Sequence, residues 1–185
     1  MPDKNNRIIQ QPVIELMADL TASDMDDLCE ASNQAILDGN GFGWLTPPER
    51  SVQEAYWNGV LTIPFREAYC ARLEGCIVGS GQLIKPFANN EAGKHIAQIS
   101  TFFIAPYARG HGLGVGLLSV IEKSATNQGF KILEVDVRET QHAAISLIEN
   151  SGFERWATKE KYAWNGEKFV GGYYYKKDLG EVTQL

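Results

Sequence analysis

Several features that would assign the chain to a common functional class are missing. Cysteine makes up only 3 of the 185 residues, and no two cysteines have the C-x-x-C spacing of redox or zinc sites. No apolar run approaches the roughly 20 residues that a membrane-spanning helix needs. The basic residues form no cluster and the net charge is −6, which argues against a surface for nucleic acid. We therefore expect a cytoplasmic protein that binds neither membrane nor nucleic acid.

The composition that remains is that of an ordinary globular protein, with 44% hydrophobic and 22% charged residues. A chain of this length predicts a single domain over residues 1–185, whose core needs no disulfide or structural metal. Cys29, Cys70 and Cys76 are expected to be reduced packing residues, with a catalytic thiol as the alternative. The three histidines have no ligand spacing with the cysteines, so we expect no metal site. The polar N-terminus is not followed by an apolar segment, so we expect no signal peptide.

Hydrophobic periodicity and turn residues predict the order β-α-α-β-β-β-α-β-α-β-β, which is a mixed α/β fold. The predicted strands cover residues 8–17, 66–74, 76–85, 96–104, 132–138, 155–164 and 168–178. The predicted helices cover residues 21–37, 111–128 and 141–150. A further helix should follow Thr46, which has the spacing of a capping box with Glu49. Asn165-Gly166 is the strongest hairpin signal.

The segment from Ile104 to Leu118 is the most informative part of the chain. An apolar run ends at Pro106, and Arg109 is followed by glycines at every second position from 110 to 116. This pattern predicts a strand, a loop with little side-chain bulk and then a helix. The first amides of a helix lack internal partners and carry partial positive charge, and glycines let ligand oxygens approach them. The segment therefore predicts a phosphate site, with a glycine-rich turn that only caps the helix as the alternative.

The spacing of these glycines distinguishes between three kinds of phosphate-binding loop. The Walker pattern Gly-Lys-Ser/Thr is absent, and the glycines do not follow the dinucleotide pattern G-x-G-x-x-G. The acid that a dinucleotide site needs about 20 residues on is matched only weakly by Glu134 and Asp136. The pattern Arg109-x-x-Gly112-x-Gly114 instead resembles the acyl-CoA loop of the GNAT family, the GCN5-related N-acetyltransferases.

A second block supports this resemblance. Val137, the segment Ala144–Leu147 and Ser151-Gly-Phe153 resemble the strand, helix and Gly-Phe ending of the same family. The order of elements resembles the GNAT fold over nearly the whole chain. The resemblance implies a mixed central sheet of about seven strands with four helices, splayed between the fourth and fifth strands. The C-terminal aromatic residues and Gly43-Trp44 are more loosely similar to acetyltransferases of the tabtoxin-resistance type.

The resemblance implies acetyl-CoA as the acetyl donor and a primary amine as the acceptor. In this family pantetheine bonds to main-chain groups in the splay, and the pyrophosphate lies on the amides of the glycine loop. The residues implied to bind the cofactor are Phe102, Phe103, Ile104, Arg109, Gly110, His111, Gly112, Leu113, Gly114, Val115 and Gln141. The acidic chain suits an amine, which we expect to belong to a small molecule and to attack the thioester directly. A protein or peptide acceptor, or a CoA-binding module with little catalysis, are the alternatives.

The acid and base that the family commonly uses are not in their usual places. Gln98 stands where many members have a glutamate base, and Ile148 stands where a tyrosine acid is usual. The remaining carboxylates, Glu134 and Asp136, share one face of their strand. We prefer Asp136 as the base because it lies deeper in the strand, where apolar surroundings would raise its pKa. An acid paired with a basic residue or exposed to solvent is the alternative.

Aromatic residues supply the remaining candidates. Tyr174 in the last strand is a candidate acid, and packing is the alternative for it. Phe42, Trp44 and Trp57 are candidates for the wall of an acceptor pocket, although core packing explains Trp57 equally well. The aromatic final hairpin makes a homodimer a further expectation.

Overall fold

The computed structural model describes residues 12–39 and 42–180. Within these ranges the chain forms strands and helices in the predicted order, which confirms the α/β class. The strands are β1 (Val13–Leu16), β2 (Arg66–Leu73), β3 (Cys76–Ile84), β4 (Ile96–Ile104), β5 (Ile132–Arg138), β6 (Glu154–Trp164) and β7 (Phe169–Asp178). The α-helices are α1 (Ala22–Leu37), α2 (Arg50–Thr62), α3 (Leu113–Asn127) and α4 (His142–Asn150), and a short 3-10 turn, Pro106–Ala108, precedes α3. Residues 8–11 of the predicted first strand lie outside the described residues.

The start of α2 differs from the prediction because of its prolines. The helix begins at Arg50 with Glu49 as its N-cap, and no side chain in the part of the chain that the structure describes caps it. A proline disfavours the helical conformation in the residue before it, so Pro47 cannot begin a helix ahead of Pro48. The predicted helix is present, but the capping box predicted from Thr46 is wrong.

Over residues 12–39 and 42–180 the sheet contains seven strands in the order β1-β2-β3-β4-β5-β7-β6. Neighbouring strands are antiparallel except β4 and β5, which are parallel. The pairing of β4 with β5 ends at Ile99 opposite Val135, so residues 100–104 and 136–138 diverge. The splay that the resemblance implied is therefore confirmed, and it opens a gap between the two strands.

The two faces of the sheet are covered differently. Leu117, Ile121 and other apolar residues of α3 form one core with β2 to β5, and Ile148 of α4 joins it. On the other face α1 and α2 form a second core that contains Leu28 and Trp57 and packs against β2, β3 and β4. On this second face the middle of β5 is open to solvent, and Asp136 is exposed there. A polar site can therefore form on β5 beside the splay.

The cysteines are free thiols in different environments. Cys29 and Cys70 are buried, as predicted for packing residues, and burial raises the pKa of both, that of Cys70 to about 12. Cys76 is exposed at the start of β3, so the prediction that it is a packing residue is wrong. No helix within the described ranges is long and apolar enough to cross a membrane. The location of the protein in the cell stays a prediction.

Candidate active site

The glycine-rich loop turns from β4 into α3 through two left-handed residues. Gly110 has φ +84° and Gly112 has φ +74°, a conformation that glycine adopts without steric cost. Because Gly112 is the N-cap, α3 begins at Leu113, two residues later than predicted. No side chain of the described residues caps this helix, so its first amides are available to a ligand. The strand, loop and helix predicted from the glycine pattern are thus present.

A cleft of about 830 Å³ lies between the splayed ends of β4 and β5 and extends along the loop to the start of α4. All the residues predicted to bind the cofactor line it except His111. The His111 ring is exposed, and its Nδ1 lies 3.2 Å from the carbonyl oxygen of Ala108 and 3.1 Å from that of Arg109. The cleft therefore joins the phosphate loop, the splay and Gln141 in one continuous space.

The side chain of Arg109 fastens the loop to two other segments. Its Nη2 forms an ion pair of 2.7 Å with Oδ2 of Asp38, the C-cap residue of α1. Its Nε donates to the carbonyl oxygen of Ile104 at 3.3 Å. The arginine of the motif thus fixes the end of β4 relative to α1 in addition to lining the cleft.

Asp136 lines the cleft and accepts a hydrogen bond from the hydroxyl of Tyr162. In β6 the ladder passes from Lys159 opposite Gly172 to Ala163 opposite Val170, so the strand bulges between them. The bulge turns Tyr162 over the sheet, where its ring meets that of Tyr174 edge-on at 6.1 Å. A strand distant in sequence therefore brings a phenol to the predicted base.

The surroundings of Tyr162 keep its hydroxyl protonated. Burial raises its pKa, and the hydrogen bond to Asp136 raises it further, because both disfavour a phenolate. Nearby, Nη2 of Arg138 donates to the carbonyl oxygen of Phe42 at 2.7 Å. This bond joins the end of β5 to the segment after α1. One end of the cleft thus holds a carboxylate and a neutral phenol in direct contact.

The sequence of this chain matches a known protein family. A family model described as the acetyltransferase (GNAT) family matches residues 28–153. The chain belongs to this GNAT family. The GNAT protein is an acetyl-CoA-dependent N-acetyltransferase.

One relative and two solved structures are similar to this acetyltransferase. An uncharacterized N-acetyltransferase from the hisH-hisA intergenic region of Azospirillum brasilense is 48% identical over 128 residues, 69% of this chain and 76% of that protein. A GNAT superfamily phosphinothricin acetyltransferase from Sinorhizobium meliloti, solved with acetyl-CoA, has a TM-score of 0.76 at 22% identity, over 94% of this chain and 91% of that one. A ribosomal-protein-alanine N-acetyltransferase from Brucella melitensis has a TM-score of 0.74 at 21% identity, over 90% and 99%. At such identities the two structures show the fold alone.

The other catalytic candidates of the acetyltransferase lie outside the cleft lining. Glu134 faces the same side of β5 as Asp136, and Nε2 of Gln98 lies 3.5 Å from its Oε2. Tyr174 is paired with Asp136 in the ladder and packs between Tyr162 and Trp156. The structure therefore brings Asp136 to the cleft, whereas Tyr174 contacts the ring that reaches Asp136.

The environment of Asp136 differs from the expectation. We expected apolar surroundings for an acid in mid-strand, but Asp136 is exposed. The reason is that α1 and α2 pack on β2 to β4 and leave this part of β5 open. Ile148, at the place of the usual tyrosine, is buried and lines the cleft without a polar group.

Of the aromatic residues near the cleft, some form its wall and others belong to the hydrophobic core. Phe42 lines the cleft and packs on Phe103 with ring centroids 5.0 Å apart. Trp44 stacks on Phe42 at 6.0 Å from outside the lining. Trp57 is only 1% exposed, so it belongs to the core, which was the alternative for this residue.

Sequence reasoning missed Tyr162, Arg138 and Asp38. The sequence does hold one signal for Tyr162, the pair Gly171-Gly172 within an aromatic strand. Glycine inside a strand marks a bulge or the close approach of another group, and here it marks the approach of the Tyr162 ring.

Proposed function

We propose that the enzyme transfers the acetyl group of acetyl-CoA to a primary amine of a small molecule by direct attack in a ternary complex. The observation that carries this proposal is the single cleft that joins the phosphate loop to the pair Asp136–Tyr162. The pyrophosphate would lie on the amides at the start of α3, and pantetheine on the main chain of Phe102–Ile104, which β5 leaves unpaired. The thioester then reaches the point where β4 and β5 begin to separate, next to Asp136.

Asp136 and Tyr162 form a route for the proton of the amine. The nitrogen becomes strongly acidic once it bonds to the thioester carbon, and it loses a proton to the Asp136 oxygen that does not bond Tyr162. The carbon–sulfur bond then breaks, the Tyr162 hydroxyl turns its proton from Asp136 to the sulfur, and the thiolate takes that proton. The protonated carboxyl group of Asp136 then turns its O–H to the phenolate of Tyr162 and returns the proton. The products are an amide and a CoA thiol, and both side chains end as they began.

The shape of the cleft supports a small acceptor. Near Asp136 the lining includes Phe42 and Gly43 from the segment after α1 and Tyr162 and Ala163 from β6. Arg138 ties the first of these segments to β5. The segment after α1 is held by Arg138 and β6 is held by the bond between Tyr162 and Asp136, so neither can easily move aside. Such a cleft favours a compact amine over an extended peptide. The phosphinothricin acetyltransferase with the same fold makes phosphinothricin a reasonable first acceptor to test.

A panel of acceptors tests the proposal. Release of the CoA thiol from acetyl-CoA is measured with phosphinothricin, free amino acids, a diamine, an aminoglycoside and a peptide that begins with alanine. We expect the highest kcat/KM for one of the small amines. A clear preference for the peptide would overturn the small-molecule assignment.

Mass spectrometry tests direct attack. The enzyme is incubated with acetyl-CoA alone, and its mass is expected to stay unchanged, because no cysteine lines the cleft within the described residues. An acetyl adduct that disappears when the amine is added would contradict the ternary complex.

A further inference from the structure

A line of polar side chains leads from beneath α2 to the cleft. Nη1 of Arg66 donates to Oε1 of Gln82, and Nε2 of Gln82 donates to the hydroxyl of Tyr56 at 3.1 Å. The same hydroxyl lies 3.1 Å from Oγ1 of Thr101. Gln82 has no exposed surface, whereas Thr101 lines the cleft. The line therefore connects a buried amide with the place where the strands separate.

The hydrogen bonds in this line run in one direction when each group in it uses its donor. A guanidinium has donors and no acceptor, so Gln82 must turn its oxygen to Arg66 and its NH2 group to Tyr56. Tyr56 accepts that bond, and Thr101 is the acceptor within reach of its single proton among the described residues. Oγ1 of Thr101 thus accepts from Tyr56, and the proton of Thr101 is left to donate into the cleft. Oγ of Ser100 lies 3.4 Å from Oγ1 of Thr101 and is a weaker alternative acceptor for the proton of Thr101.

The backbone at Thr101 is held in a conformation that its side chain disfavours. Its φ is +47°, in the left-handed region where a β-branched residue is rare. Among the described residues the other non-glycine residue with positive φ is Glu74, which lies in the turn between β2 and β3. The ladder between β3 and β4 is irregular at the same point. Strain of this kind persists where the surroundings hold it, and it is common at functional sites.

We propose that the hydroxyl of Thr101 donates a hydrogen bond to the carbonyl oxygen of the thioester and stabilises the negative charge that develops there. Tyr56 and Gln82 are positioning residues, because they fix the direction in which Thr101 donates. The inference rests on the proposed function, which puts pantetheine beside Phe102–Ile104 and hence the thioester beside Thr101. A donor already oriented before the substrate arrives needs no reorganisation during the reaction.

Substitutions that differ only in the hydroxyl test this role. Thr101→Ser keeps the hydroxyl and Thr101→Ala removes it, and neither is β-branched. We expect Thr101→Ala to lower kcat on the order of 100-fold relative to Thr101→Ser. The Kd for CoA, which lacks the acetyl carbonyl, is expected to be equal in the two variants by calorimetry. Thr101→Gly is the second variant without a hydroxyl, and it suits the positive φ if Thr101→Ala does not fold.

Tyr56→Phe tests the positioning residue. We expect a smaller loss of kcat, about 10-fold, and no further loss when Tyr56→Phe is added to Thr101→Ala, because the two act through one hydrogen bond. The matched control is Tyr69→Phe, since that hydroxyl bonds to Ser124 and Glu67 away from the cleft. Tyr69→Phe is expected to leave kcat unchanged.

The outcomes separate this inference from the proposed function. If the wild-type enzyme turns over and Thr101→Ala matches Thr101→Ser in kcat, the role of Thr101 is overturned while the proposed function stands. If kcat and CoA affinity fall together in Thr101→Ala, the residue only shapes the cofactor site, and the inference is likewise overturned. If the wild type acetylates no amine, both proposals fail.

Discussion

The ring of Tyr162 lies directly over the α-carbon of Gly172. A β-carbon at residue 172 would overlap with Cγ and both Cδ atoms of that ring. Because Gly172 has no side chain, the ring of Tyr162 in the bulge of β6 can pack directly on the sheet. The hydrogen bond from Tyr162 to Asp136 depends on this contact, because the contact keeps the phenol hydroxyl within bonding distance of the carboxylate.

The substitution Gly172→Ala is expected to lower kcat by about 10-fold or more, since it displaces the Tyr162 hydroxyl from Asp136. Overpacking should also lower the free energy of unfolding by about 1–3 kcal/mol. Steady-state kinetics and chemical denaturation measure the two effects. The affinity for CoA should not change, because Gly172 does not line the cleft. Wild-type kcat in Gly172→Ala would show that the position of Tyr162 is irrelevant to the reaction.

Asp136→Asn and Tyr162→Phe test the proton route. Asp136→Asn is expected to lower kcat by about 10²- to 10⁴-fold, because the amide cannot accept the proton. Asp178→Asn, at the end of β7, is the matched control and should keep wild-type kcat. If both asparagine variants have equal activity, Asp136 is not the base.

The pH dependence of kcat follows from the raised pKa of Tyr162. A raised pKa keeps the phenol protonated beyond the ordinary tyrosine value of about 10, so the acid is present throughout the neutral range. The rate of wild-type enzyme should therefore not fall between about pH 7 and pH 10. Tyr162→Phe should lower kcat by about 10- to 100-fold over that whole range. An alkaline fall in wild-type kcat centred near pH 8 would contradict this assignment.

Local patterns predicted the framework of the site, whereas contacts between distant segments supplied its polar details. The bounds of β4 and β5 agree with the prediction, because short apolar strands end at recognisable turn residues. The position of Tyr162 depends on a three-residue bulge, and the glycine pair Gly171-Gly172 opposite it does not tell which side chain fills the space. The positive φ of Thr101 opposes local preference, and a residue of α2, Tyr56, contacts it from 45 positions away. Such features depend on tertiary packing and were therefore beyond sequence reasoning.

Gly112→Val tests the phosphate loop. A β-branched residue at φ +74° costs about 1–3 kcal/mol or forces the N-cap to change, and either effect misaligns the first amides of α3. We expect the Kd for CoA to rise at least about 10-fold by calorimetry while the circular dichroism spectrum is kept. Gly59→Ala is the control, because a β-carbon there meets no atom within 4 Å inside α2. That variant should gain about 0.5–1 kcal/mol of stability without a change in CoA affinity.

The thiols should differ in reactivity. Burial raises the pKa of Cys70 to about 12, so almost no thiolate forms at about pH 8, and Cys29 is likewise buried with a raised pKa. Under native conditions iodoacetamide should modify Cys76 alone, as read by mass spectrometry. Because no cysteine lines the cleft, the modified enzyme should keep its acetyltransferase activity. Rapid modification of Cys70 would show that β2 opens in the native state.

Stability in acid should depend on the ion pair between Arg72 and Asp24. Nη1 of Arg72 lies 2.6 Å from Oδ1 of Asp24, and the side chains are only 23% and 14% exposed. Nε of the same arginine lies 2.6 Å from Oε1 of Glu15. The bond from Arg72 lowers the pKa of Asp24, more than burial raises it, so the carboxylate stabilises the fold above its unfolded pKa of about 4. That contribution is lost as the pH falls through the folded pKa. Arg72→Met is therefore expected to lower the free energy of unfolding by about 1–2 kcal/mol at neutral pH and by less at about pH 3.

Arg50→Met is the matched control for this last prediction. Arg50 also pairs with two carboxylates, Asp26 and Glu54, but its side chain is 46% exposed, and water screens such pairs. Its removal should cost less than about 0.5 kcal/mol. Urea denaturation of both variants at the two pH values measures the difference. If Arg72→Met costs as much at about pH 3 as at neutral pH, its effect comes from lost packing of the side chain, and the ion pairs with Asp24 and Glu15 do not contribute.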